Sequence, residues 1–105
     1  MIIFNTTYHI ESEVLEEALR YITGVYIPAV LDSGLLVSPR LCRILGTQEE
    51  DAGGESFSLQ FEAECVEELE EWYMQQGAAL HKALIAHFGD RVAAFATLLQ
   101  PVDLD

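Results

Sequence analysis

The side chains best suited to holding a polar ligand are Asn5, His9, Arg40, Gln60 and Glu62. Asn5 and Gln60 each offer a donor and an acceptor, Arg40 a guanidinium, Glu62 a pair of acceptors and His9 an imidazole ring. No metal set is visible. His9, His81 and His87 are spread along the chain, and the nearest pair, His81 and His87, does not fall on adjacent turns of one helix face. Neither a metal nor any other cofactor is expected. The run Glu67, Glu68, Glu70 and Glu71 admits two readings, a solvated helix start or a surface for a basic protein. Carboxylates crowded in water are not acid–base catalysts, because nothing lifts one pKa away from its neighbours. No stretch carries a nucleophile elbow, a phosphate loop or a dinucleotide fingerprint, so the order of elements is more informative than any motif.

Positioning those groups falls to 105 residues, 50% of them hydrophobic, which suits one core and a single domain over 1–105. With 18 acidic against 5 basic residues the formal charge is −13, which repels phosphate backbones and anionic lipid. Neither nucleic acid nor membrane is expected as a partner. The start, Met1-Ile2-Ile3-Phe4-Asn5, has no basic leader or long apolar core, and no apolar run approaches bilayer thickness. The expectation is a cytoplasmic protein of bacterial type. Cys42 and Cys65 are isolated and read as buried thiols, not as a disulfide.

Periodicities follow the order strand, helix, strand, strand, helix, strand. Ile2, Phe4, Tyr8 and Ile10 alternate with Asn5, Thr7 and His9 in the first strand. After Ser12, which suits a cap, Leu15, Ala18, Leu19, Ile22, Tyr26, Ala29 and Val30 recur at helical spacing. Pro28 would press its ring on the carbonyl of Gly24, so a kink or short break is expected there. Strands over 36–45 and 56–63 flank a polar stretch from Gly46 to Glu55, read as a long mobile hairpin connection. A hairpin symmetric about that stretch sets Leu41 opposite Phe61, Leu45 opposite Phe57, Arg40 opposite Glu62 and Cys42 opposite Gln60. Helix two turns Val66, Leu69, Trp72, Tyr73, Leu80, Leu84 and Phe88 inward, with Gly77 weakening its middle and Gly89 ending it. A last strand spans 92–99, and 101–105 forms a short loose tail.

Two right-handed βαβ crossovers place both helices on one face of a four-stranded antiparallel sheet, with the first and third strands as its parallel centre. This is an α+β, ferredoxin-like βαββαβ fold. Its open face mixes Ile3 and Ile44 with Asn5, Arg40, Gln60 and Glu62, and such a face meets either water or a second copy. The expectation is a homodimer that covers the isoleucines and leaves a pocket for a small polar ligand. Glu62 against Arg40 would orient that ligand or only brace the sheet.

Several segments together resemble a known family: Met1-Ile2-Ile3-Phe4-Asn5; Ile27-Pro28-Ala29-Val30-Leu31 followed by Ser33-Gly34-Leu35; Arg40-Leu41-Cys42-Arg43-Ile44-Leu45; and His87-Phe88-Gly89 through Phe95-Ala96-Thr97-Leu98-Leu99. They look like the bacterial domain-of-unknown-function family numbered 4286, over nearly the whole chain. The resemblance implies the dimeric α+β barrel superfamily and no particular reaction. In that superfamily, heme-degrading and antibiotic-biosynthesis monooxygenases use an Asn on the first strand with a Trp and a His on the second helix. By that analogy the residues here would be Asn5, Trp72 and His81. On a straight helix at about 100° per residue, Trp72 and His81 point to opposite sides, and only a break at Gly77 would make them converge. Three functions stay open: a noncatalytic ligand-binding or assembly module on the open face, a monooxygenase or heme-degrading enzyme, and an acidic adaptor using helix two.

Overall fold

Strict alternation gives β1 (Ile2–Glu11), whose residues Ile2, Phe4, Thr6, Tyr8 and Ile10 are buried while those between them stay accessible. The computed structural model describes residues 1–46 and 53–104 and adds β2 (Val37–Arg43), β3 (Gly54–Ala63) and β4 (Val92–Leu99). The strand order is β2-β3-β1-β4, and every pairing is antiparallel. The expected parallel centre is therefore wrong: β1 and β3 run antiparallel, from Ile2 opposite Ala63 to Glu11 opposite Gly54. The crossover does make β1 parallel to β2, but the hairpin then reverses β3, and it is β3 that takes the place beside β1. At the end of this pair the backbones approach closely, and a β-carbon at Gly54 would collide with the Ile10 carbonyl.

The hairpin register differs from the symmetric expectation as well. Arg40 stands opposite Gln60, Leu41 opposite Leu59 and Cys42 opposite Ser58, while Val37 takes the place across from Glu62. A bulge between Val37 and Arg40, with Ser38 at φ 57° followed by Pro39, absorbs the offset. Because the slip is even, residues 40–43 keep their faces, whereas the bulge turns Val37 to the Glu62 side of the sheet. Residues 47–52 of the expected mobile connection lie outside the described residues, and Gly54 and Glu55 already belong to β3.

Each helical segment contains one π-helical turn. The first comprises a 3-10 turn (Ser12–Val14), α1 (Leu15–Tyr21), a π turn (Ile22–Tyr26) and α2 (Ile27–Asp32). The second comprises α3 (Val66–Trp72), a π turn (Tyr73–Gly77) and α4 (Ala78–Phe88). These turns are the break expected near Gly24 and Pro28 and the weak middle expected at Gly77. Pro28 has no N–H for the carbonyl of Gly24, and the ladder accommodates the missing bond by widening just before it. Ser12 makes no side-chain cap; its backbone N–H donates instead to the Gly53 carbonyl at 2.6 Å.

Both segments cover the same sheet face, burying Ala18, Ile22, Tyr26 and Val30 from the first and Leu69, Trp72, Leu84 and Phe88 from the second against β1 and β3. One extra residue in a π turn rotates everything downstream by about 100°. Tyr73, expected inward, begins that turn and is exposed, as is Val66 at the start of α3. Cys42, expected to be buried, is exposed on the edge strand β2; Cys65 is half-buried, and both are free thiols. Residues 101–104 carry no regular structure, and no described helix is long and apolar enough to cross a membrane.

Candidate functional site

The π turn at Tyr73–Gly77 decides where the aromatic residues meet. Trp72 is fully buried, its ring edge-on to Phe4 at 5.6 Å, and its N–H donates to Gln76 Oε1 at 2.7 Å. That packing leaves no room beside it: a β-carbon at Gly77 would stand 2.5 Å from Trp72 Cζ3 and 2.9 Å from Tyr73 Cδ1. Beyond the turn His81 comes round to the side of Trp72, which a straight helix would forbid. The two line a cavity of about 250 Å³ together with Phe4, Thr6 and Tyr8 of β1, Tyr26 of the first π turn, Tyr73, and residues 94–96 of β4. Trp72 is buried and His81 exposed, so the cavity leads from the surface into the core.

Two of its polar groups, the Tyr8 and Tyr26 hydroxyls, are held neutral. Burial pushes Tyr8 far above the ordinary phenol range, and repulsion from and hydrogen bonding with Tyr26 add to it. Tyr26 is pushed up to about 12, again chiefly by burial, while a hydrogen bond from Tyr8 pulls the other way. The pair can donate and accept hydrogen bonds at neutral pH but cannot act as a phenolate base. Rings tipped with hydroxyls make a wall for a flat, uncharged molecule. Sequence reasoning placed Tyr8 and Tyr26 only in the core. The signal was there, since a tyrosine at a core-facing position carries a hydroxyl into apolar surroundings and needs a partner.

The polar candidates lie on the other face of the sheet. Arg40, Gln60, Asn5 and Thr97 form one rung across it, and Val37, Glu62, Ile3 and Leu99 form another. Arg40, Gln60 and Glu62 share a groove of about 340 Å³ with Ile3, Ser38 and Pro39. Asn5 adjoins the groove but is committed to its neighbours: the Ser58 hydroxyl donates to its Oδ1 at 2.5 Å, and its Nδ2 donates to Thr7 Oγ1 at 3.3 Å. His9 sits towards the far end of the face, hydrogen-bonded to Ser56 at 3.1 Å, and does not line the groove. Of Asn5, Trp72 and His81, the structure brings the last two together and leaves Asn5 across the sheet from them. Glu67, Glu70 and Glu71 are exposed along α3, and Glu68 is half-buried. Among the described residues, no group of three His, Cys, Asp or Glu is placed to hold a metal ion.

Sheet order and helix placement define the class: a ferredoxin-like α+β domain, with two helical segments on one face of a four-stranded antiparallel sheet. Solved structures agree. The chain is similar to an ethyl tert-butyl ether D family protein from Bacillus halodurans C-125, at 13% identity and TM-score 0.71, covering 97% of this chain and 100% of that one. It is similar to a monooxygenase from the gene ActVA-Orf6 of Streptomyces coelicolor, solved with nanaomycin D, at 12% identity and TM-score 0.69, covering 99% and 89%. A dimeric ferredoxin-like protein from an uncultured marine organism matches at 11% identity and TM-score 0.64, covering 99% and 97%. The model of the domain of unknown function DUF4286 matches residues 1–102, and the chain belongs to that family. No curated protein matches it in sequence.

Proposed function

We propose that this protein is a homodimeric, noncatalytic module that binds a small, flat, uncharged ligand in the cavity between its sheet and its second helical segment. The observation that carries the reading is the convergence of Trp72 and His81 on a cavity that also holds the neutral tyrosine pair. Its volume of about 250 Å³ lies below the roughly 300–1,000 Å³ of sites for drug-sized molecules, which points to a ligand of one or two rings. The open face supplies the assembly. Val37, Ile44, Phe95 and Leu99 are exposed apolar residues on its margins, and Asn5, Ser58 and Gln60 form its polar centre. Two such faces in contact would seal along their margins and enclose a wet interior that includes the Arg40–Gln60–Glu62 groove.

Titration with 2-naphthol, followed by the emission of Trp72, the chain's 1 tryptophan, tests the site. Saturable quenching is expected, weakened about tenfold in Tyr26→Phe, the equivalent of one hydrogen bond. Quenching that never saturates sinks the ligand reading. Sedimentation tests the assembly: the wild type is expected to be a dimer and the Val37→Asp, Ile44→Asp double variant a monomer, and a wild-type monomer removes that half of the proposal.

A second reading, a monooxygenase, draws on the same pairing of Trp72 with His81 and on the likeness to the Streptomyces coelicolor monooxygenase. Under it, an oxygenated product would accumulate in air and disappear in His81→Ala. Under the first reading, 2-naphthol is recovered unchanged.

A further inference from the structure

Gln76 lies within the second π turn and is half-buried. Its amide makes two bonds in opposite directions, accepting the Trp72 indole N–H through Oε1 at 2.7 Å and donating from Nε2 to the Ala29 carbonyl in α2 at 3.1 Å. The partners fix the orientation of the amide. An indole N–H can only donate and a carbonyl can only accept, so one arrangement satisfies both and the flipped one satisfies neither. The Ala29 oxygen is one of the last carbonyls of α2, and the backbone N–H of Ser33, four residues on, bonds instead to the Val30 carbonyl at 3.2 Å. The resulting bridge starts at the indole in the cavity, crosses one amide, and ends on the helical segment that also supplies Tyr26 to that cavity.

We propose that Gln76 is a positioning residue, locking the Trp72 indole in the rotation that forms the cavity wall and tying that rotation to the spacing of the two helical segments. The inference rests on the ligand-binding reading above. With Gln76 gone, the indole N–H would be buried without an acceptor, and rotation of the ring is its way out of that state. Gln76→Leu removes both bonds at similar volume. Gln76→Glu keeps an acceptor for the indole and sets a carboxylate oxygen against the Ala29 carbonyl.

Two measurements decide the matter. The single indole ¹H–¹⁵N resonance is read in the protein without ligand, where it is expected to shift and exchange faster in Gln76→Leu and to stay near its wild-type position in Gln76→Glu. A resonance unmoved in Gln76→Leu, or displaced equally in both variants, overturns the proposal. Should Gln76→Leu fail to fold, retention of the resonance in Gln76→Glu supports the proposal and its displacement overturns it. The second measurement is a double-mutant cycle on 2-naphthol affinity read by titration calorimetry, which does not need the indole: Gln76→Leu is expected to cost about tenfold in the wild-type background and less than about twofold in Trp72→Phe, because a positioning residue acts through the ring it positions. Equal losses in both backgrounds would make Gln76 merely structural. Failure of the wild type to bind 2-naphthol would count against the cavity as a ligand site, while the indole resonance would still judge Gln76.

Discussion

The π turns at Ile22–Tyr26 and Tyr73–Gly77 are each 5 residues long and sit at similar places in their segments, yet glycine has a different task in each. Nothing lies within 4 Å of the position a β-carbon on Gly24 would occupy, whereas one on Gly77 would strike the Trp72 and Tyr73 rings. The first turn answers to the backbone, because Pro28 cannot donate to the carbonyl four residues before it. The second answers to a side chain, because the indole of Trp72 occupies the volume that any larger residue at 77 would need. The same local distortion therefore has a covalent cause in one segment and a packing cause in the other. Both feed one cavity, the first by delivering Tyr26 and the second by swinging His81 towards Trp72.

Breaking the packing cause should have the largest effect. Trp72→Ala is expected to destabilise by about 3–5 kcal/mol in urea unfolding, the range for deleting a buried aromatic ring, and a loss below about 1 kcal/mol would show that the indole does not organise the second turn. Alkali should sharpen the other side. Tyr26 in the first turn has its folded-state pKa raised from 10.0 to about 12, so its contribution is intact below pH 10 and is lost as pH climbs through that window. The loss amounts to about 1.4 kcal/mol per pH unit for that residue, with Tyr8 adding in the same direction. Urea midpoints against pH should fall steeply above pH 10, and Tyr26→Phe should flatten the fall. Gly77→Ala is expected to cost about 1–3 kcal/mol from overpacking and to weaken 2-naphthol binding. Gly24→Ala closes the series with a gain of about 0.5–1 kcal/mol from helix propensity in open space; equal losses at the two glycines would abolish the contrast.

Most of this architecture could be read in the sequence. Alternation at Ile2, Phe4, Tyr8 and Ile10 and at Phe57, Leu59 and Phe61 fixed which side of each strand was dry, and those faces survived an error in hairpin register. The register itself was hidden, because the bulge at Ser38 and Pro39 depends on how the edge strand meets β3 and leaves no trace in hydrophobic pattern. The direction of β3 against β1 follows from the hairpin and not from either crossover alone, because the first crossover sets β2 parallel to β1 and the hairpin then reverses β3. The cavity was legible only as a condition: Trp72 and His81 could meet if the helix broke at Gly77. Whether it broke depended on a ring packing against a glycine, which periodicity cannot express. On the open face, residue types suggested one polar site, but distance along β1 separates His9 from Arg40, Gln60 and Glu62.

The bulged β2 has a bearing on how such molecules can associate strand to strand. With Pro39 lacking a donor and Ser38 turned out of line, the outer margin of β2 offers an interrupted row of hydrogen-bonding groups, whereas β4 presents 8 residues without a proline. An endless ribbon needs two receptive margins on every copy. The bulge leaves β4 as the more regular of the two margins, so strand addition, were it to occur, would favour β4 over β2.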